Sequence, residues 1–205
     1  PNQIYEYLFI NDCSTDNSVE ILINNISKKK FPKKKIRLIH NKKNLGWANS
    51  LRRGYKYSKG DYCLYIPGDG EAKLTKFMNI KLLKEEFDVL LIQRKAMKGR
   101  PLSRRIISNI YRILISILFL LKIRDYNGLI IVKKKKIKNL HLNSNSFFIS
   151  AEIIVKAIKN KMKLNEEYFF SVETKKKYKS TSLSFYQFCL LIMDTIKTFY
   201  YLIFK

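Results

Sequence analysis

Along the first 93 residues, short apolar runs alternate with longer stretches whose apolar positions recur every three to four residues, and no other feature constrains the chain so tightly. The pattern predicts strands over 5–11, 36–40, 62–66 and 87–93, with helices over 18–30, 46–57 and 74–85 between them. Strands joined through helices pair in parallel, so the expected architecture is α/β, a mostly parallel sheet flanked by helices. A chain of 205 residues with 46% hydrophobic content can bury one such core.

Two of these strands run into acidic turns. The strand at 62–66 is followed by Pro67, Gly68, Asp69, Gly70 and Glu71. Asp69 and Glu71 stand two apart, so an extended or tightly turned backbone points both carboxylates toward one hard cation, Mg²⁺ or Mn²⁺, able to neutralise a diphosphate. An ordinary Asp-Gly turn is the alternative for this segment taken alone. The strand at 5–11 breaks into Asn11, Asp12, Cys13, Ser14, Thr15 and Asp16 before the helix at 18. Ser14 or Asp16 suits the helix N-cap, which leaves Asp12 for a ligand. Ligands of open α/β sheets bind outside the carboxyl ends of the strands, so both turns are expected to face one crevice.

Asn44, Leu45, Gly46, Trp47, Ala48, Asn49 and Ser50 at the second helix, and Gly60, Asp61 and Tyr62 before the third strand, extend the two turns into four ordered motifs. Together they resemble the family 2 glycosyltransferases of GT-A fold, and within that family most of all the polyprenol-phosphate sugar synthases. The resemblance runs over 7–182 and is strongest up to Glu71. It implies a nucleotide-sugar donor in the crevice, with Asn11 and Asp12 at the nucleoside and Asp69 with Glu71 holding Mg²⁺ or Mn²⁺ against the diphosphate. Arg94, Arg100, Arg104, Arg105 and Ser108 fit the family's Arg-rich segment and Ser-bearing amphipathic helix, while Asp125, Tyr126, Asn127 and Gly128 fit its Asp-x-x-x-Gly turn only loosely. Two departures stand out. Pro67 occupies the place of the leading Asp of the family's metal motif, and the chain begins at Pro1 without an initiator Met or the family's first strand, the mark of a truncated N-terminus.

The formal net charge of +25 calls for an anionic partner. Lysine is abundant throughout, and runs such as 28–30, 33–35 and 133–136 read as solvated loops. Arginine is more informative, because five of the nine lie between Arg94 and Arg112 and a guanidinium fork fits phosphate oxygens. The helix predicted over 103–121 carries Arg105, Ser108, Asn109, Arg112 and Ser116 on one side and a broad apolar face on the other. Its apolar run is too short to cross a membrane, so it packs on the core or lies in an interface. The segment 185–204 is long enough to span, yet Asp194 and Lys197 disfavour that by about 2.5–3.5 kcal/mol each. A surface-lying amphipathic helix is expected instead, with Tyr200, Tyr201 and Phe204 as aromatic anchors and the lysines of 175–179 attracted to anionic lipid. The chain thus divides into a transferase domain over 1–182 and a membrane-associated helix over 183–205.

These features point to transfer of a sugar from a nucleotide-sugar to a polyprenyl phosphate at the cytoplasmic membrane face. A lipid phosphate is already an anionic nucleophile and needs positioning rather than a base, and Arg94, Arg104, Arg105 and Ser108 are the candidates to hold it beside Asp69. Transfer to a saccharide hydroxyl in envelope polysaccharide synthesis is the alternative, with Glu152 as an available base. A catalytically silent basic protein is the other, although no nucleic-acid motif is visible and nucleic acid is not expected as a partner. Cys13, Cys63 and Cys189 show no metal-ligand spacing and are expected to be reduced.

Overall fold

The computed structural model describes residues 6–27, 35–68, 86–94, 102–169 and 185–204. β1 (Tyr7–Asn11), α1 (Ser18–Ser27), β2 (Ile36–His40), α2 (Trp47–Tyr57) and β3 (Tyr62–Leu64) follow in the expected order. The helix expected over 74–85, like Asp69 and Glu71, lies outside the described residues. β4 (Val89–Arg94) is followed by α3 (Leu102–Leu118), β5 (Leu129–Lys133), the single turn α4 (Lys134–Ile137), α5 (Ile149–Lys159), β6 (Leu164–Phe169) and α6 (Phe185–Phe204). The lysine run at 133–136 is therefore not a loop. It ends β5 and forms α4, where Lys134 Nζ donates to the Lys56 carbonyl and to Ser58 Oγ.

β1 and β2 pair in parallel, Tyr7 opposite Ile36 and Asn11 opposite His40. The other strands form a sheet in the order β3-β5-β4-β6, in which β4 and β6 are parallel and β5 runs against both β3 and β4. β3, β4 and β6 thus share one direction and β5 is inverted between them. The inversion follows from the connection: Leu129 opens β5 opposite Ile92 near the carboxyl end of β4, so the chain leaves and re-enters the sheet at the same end of its strands. Gly128 makes that re-entry possible, since a Cβ there would stand 2.6 Å from the Ile92 carbonyl oxygen. Glu6 ties the two sheets together, accepting from Arg37 Nη1 on β2 at 2.5 Å and from the Lys59 amide before β3 at 2.7 Å.

Alternation along the strands divides the core. Val89, Leu91, Ile130 and Val132 face α2, α5 and Ile115 of α3, while Leu90, Ile92 and Ile131 form a smaller cluster with Phe87 on the other side. α5 is buried on every side from Ile149 to Ala157, including Glu152 and Lys156, which pair at 2.6 Å. Such a helix is interior, and its two charges persist there only because each also bonds the backbone.

α3 stops three residues short of the expected 121. Leu120 turns left-handed (φ 54°), and the Leu120 and Leu121 amides reach back to the Ile117 and Ser116 carbonyls. That is a Schellman closure without glycine, so the apolar periodicity that continues through Leu121 could not reveal it. α6 contributes Asp194, Thr195 and Thr198 to the protein side, all buried, and exposes Phe188, Ile192, Met193, Ile196, Tyr200 and Ile203.

Candidate functional site

Asn11 and Asp12 end β1 beside the first turn of α2. Asn11 accepts the Ser14 amide through Oδ1 and pairs through Nδ2 with His40 Nδ1, locking the turn in which Cys13 is left-handed. Asp16 Oδ1 accepts the Ser18 amide at 3.1 Å in the turn that leads into α1, and hydrogen bonds from the Ser18 hydroxyl and then its amide hold the Asp16 carboxyl below the usual range. Of the two residues expected to serve the start of α1, Asp16 rather than Ser14 does so, and Asp12 takes no part in it.

Asp12 is nevertheless engaged by the protein. Its Oδ1 accepts from Asn41 Nδ2 at 2.7 Å and from the Leu45 amide at 2.8 Å. Partial burial works to raise its pKa, but the donors Asn41, Leu45, Ser50 and Gly46 outweigh it and the carboxyl sits below its ordinary value. The Asn44–Gly46 turn is thereby fixed to the end of β1. Gly46, at φ 79°, provides the left-handed step into α2, and Asn44 Oδ1 accepts its amide.

A cleft of about 250 Å³ opens at this point, lined by Asp12, Asn44, Gly46 and Trp47 on one side and by Asn145, Ser146, Phe147 and Gln187 on the other. Trp47 stacks on Phe147 with ring centroids 5.2 Å apart and meets Tyr65 edge-on at 5.6 Å, closing the cleft floor with aromatic surface. Arg52, one turn further along α2, donates to the Ser144 carbonyl and to Asn145 Oδ1, and also to Asn49 Oδ1. A small cleft with two aromatic side chains, one carboxylate and amides on both sides suits a polar ligand with a flat ring or sugar.

The opposite wall is held from below. Glu152 accepts the amides of Asn143 (2.9 Å) and Ser144 (3.0 Å), and Lys156 joins it while donating to the His141 carbonyl. Glu152 is fully buried and committed to this loop, a geometry that serves loop placement rather than proton removal from a hydroxyl in the cleft. The residues that sequence reasoning missed are Arg52, Asn145, Ser146, Phe147 and Asp194. For Asn145 and Ser146 the one local signal was the polar run 143–146 between apolar segments.

The remaining expected site residues are distributed elsewhere. Arg94 ends β4 and Arg104 lies in the first turn of α3; only their backbones are described. Arg105 is exposed and Ser108 half-buried on α3, three residues apart, and neither lines the cleft. Among the described residues no cluster of three potential metal ligands occurs, and Asp69 and Glu71, the expected ligands, lie outside the described residues. A pair of hard carboxylate oxygens does fit Mg²⁺ or Mn²⁺ in kind. The turn at 125–128 is structural: Asp125 Oδ1 accepts the Asn127 amide, and buried Tyr126 reaches Ser116 Oγ at 3.2 Å.

Comparison with known proteins gives three kinds of likeness. A family model described as Glycosyl transferase family 2 matches residues 1–128. A dolichyl-phosphate beta-glucosyltransferase of Dictyostelium discoideum is 32% identical over 77 residues, 38% of this chain and 23% of that protein. One from Trichomonas vaginalis is 31% identical over 81 residues, 40% of this chain and again 23% of the relative. The chain thus spans about a quarter of the length of the curated relatives it matches. Among solved structures, glucosyl-3-phosphoglycerate synthase from Mycobacterium tuberculosis covers 94% of this chain at 12% identity, with 68% of its own length matched. The TM-score is 0.66 for its complex with phosphoglyceric acid and 0.63 for that with uridine diphosphate.

Proposed function

We propose, from the premise that this chain belongs to glycosyl transferase family 2 and has the GT-A fold, that the protein transfers a sugar from a nucleotide-sugar to a polyprenyl phosphate at the cytoplasmic membrane face. The observation that carries this reading is the placement of polar and apolar surface. The cleft at Asp12 is polar and aromatic, whereas α3 and α6 turn apolar side chains outward and share an apolar groove of about 230 Å³ between Leu114, Ile117, Leu118 and Leu191, Ile192, Ile196. One surface suits a water-soluble donor and the other a lipid. Support also comes from the two relatives whose names specify dolichyl phosphate, and from the solved relative that binds uridine diphosphate.

On this reading Asn11 and Asp12 shape the nucleoside end of the cleft, and Trp47 with Phe147 bounds it. Asp69 and Glu71 would hold Mg²⁺ or Mn²⁺, which supplies charge neutralisation to a diphosphate leaving group. The acceptor phosphate enters as an anion, so the chain's task is to place it. Arg105 and Ser108 are spaced for one ligand on the α3 face that begins beside exposed Ile106, Ile107 and Ile110, with Arg94 and Arg104 adding charge nearby in sequence. α6 qualifies by length and composition as a crossing helix over Tyr186–Phe204. Its Asp194, Thr195 and Thr198 are buried against the protein instead, which favours a helix lying on the surface.

The test is a radiolabelled transfer assay on the full-length protein, comparing polyprenyl phosphate with a neutral saccharide. The lipid phosphate is expected to accept the label, and Arg105→Ala to slow that transfer roughly ten- to a hundredfold, the range for losing a charge-assisted hydrogen bond. Transfer to the saccharide alone would overturn the acceptor assignment.

A further inference from the structure

Four consecutive backbone amides, from Asn143 to Ser146, are captured by two buried carboxylates from two different helices. Glu152 on α5 takes the first two. Asp194 on α6 takes the second two, at 2.8 Å each, and accepts Ser146 Oγ at 2.7 Å as well. All three donors converge on Asp194 Oδ2, and the side chain is 4% exposed. The same loop presents Asn145, Ser146 and Phe147 to the cleft, and Gln187, two turns before Asp194 on α6, lines the cleft directly. Tyr201 gives α6 a second attachment, its ring 4.8 Å from Lys156 Nζ.

We infer that Asp194 is a positioning residue for donor binding: it fixes the 145–147 wall of the cleft to the apolar helix α6. An aspartate in so apolar a helix is costly without partners, and here every partner is a donor from this one loop. From the α2 side Arg52 holds the Ser144 carbonyl and Asn145 Oδ1, so the wall is gripped from above and below. Asp194 does not line the cleft. It acts through Asn145, Ser146 and Phe147, and through the stack of Phe147 on Trp47. Preorganisation of this kind is spent on the ligand that contacts the wall, so its loss should fall on the donor and spare the acceptor.

The inference rests on the reading of the cleft as the nucleotide-sugar site, and the test separates the two. Full-length wild type and Asp194→Asn are compared for binding of a panel of nucleoside diphosphates with Mg²⁺ by calorimetry, for donor and acceptor KM, and for hydrogen exchange. Asp194→Asn should raise the nucleoside diphosphate Kd and the donor KM roughly ten- to a hundredfold, leave the acceptor KM unchanged, and speed exchange over 143–147 but not in α5. A wild type that binds no nucleoside diphosphate overturns the reading of the cleft and the inference with it. Wild-type binding with an unaltered donor KM in Asp194→Asn overturns only the role of Asp194, as does a parallel rise in donor and acceptor KM. Should Asp194→Asn not fold, Arg52→Lys loosens the same loop from α2 and must show the same donor-selective rise, and its absence overturns the inference.

Discussion

Asp12, Glu152 and Asp194 are all acids that accept several backbone or amide donors, yet only Asp12 stood out by its motif, Glu152 being expected only as an available base for a hydroxyl acceptor. It did so because it closes a strand within a short motif, whereas Glu152 and Asp194 sit inside helices where an acid has many ordinary explanations. Asp194 in particular counted as a cost against membrane crossing; its partners lie 48 and 49 residues away, so no local pattern could indicate them. Asp12 leads to a pH prediction. Its carboxyl is held below the ordinary 3.8, so the stability from its ionised form is complete above that value and is lost as pH falls through the lower folded value. The difference in Tm between wild type and Asp12→Asn should therefore be constant from neutral pH down to about pH 5 and shrink in stronger acid. A difference that vanishes already near pH 6 would show that the carboxylate is not stabilised as described.

Helix and strand existence was largely legible, because periodicity of about 3.6 or 2 residues is imposed by the backbone itself. Helix ends were less so. Both α3 and α5 close with left-handed residues other than glycine, Leu120 and Lys161, and nothing in a leucine or a lysine announces that geometry. At α5 the Lys161 amide bonds the Ile158 carbonyl at 2.9 Å and the Met162 amide bonds Ala157 at 3.0 Å, the same Schellman pattern as at α3. Lys161 is exposed and remote from the cleft lining, so Lys161→Gly should relieve the strain without touching function. A gain of about 1 kcal/mol is expected, read as a raised Tm with unchanged donor KM. A lowered Tm would mean that the lysine side chain contributes more than its backbone costs. The expected helix ran on to 121 because Phe119, Leu120 and Leu121 continue the apolar run, whereas the chain had to turn there to bring Tyr126 and Gly128 to β4.

At the scale of the whole molecule, the outward faces of α3 and α6 hold most of the exposed large aliphatic residues among those described, and a chain of net charge +25 carries them. Apolar surface combined with positive charge favours an anionic membrane over a neutral one. The full-length protein should co-sediment with vesicles containing anionic lipid, more weakly with neutral vesicles, and less at high salt. Ile196→Glu, at a position 60% exposed on α6, should weaken that binding without lowering Tm. The expected loss is roughly ten- to a hundredfold, following the 1.5–3 kcal/mol gained on burying one large aliphatic side chain. Unchanged co-sedimentation of Ile196→Glu would exclude this face as the contact.

By itself the sequence determined the order β1, α1, β2, α2 and β3, the acidic turn at Asp12 that leads into α1, and the Asn44–Gly46 entry to α2. Each is a property of neighbouring residues, set by backbone periodicity, turn chemistry and capping. Tertiary structure decided the rest. β5 runs backwards because its connection returns to the end of β4 that it left, and α6 turns Asp194 inward, where the amides of Asn145 and Ser146 take it as their acceptor while Glu152 takes those of Asn143 and Ser144. Buried backbone donors must be satisfied by whatever the fold places beside them, and that placement is fixed by packing rather than by sequence separation.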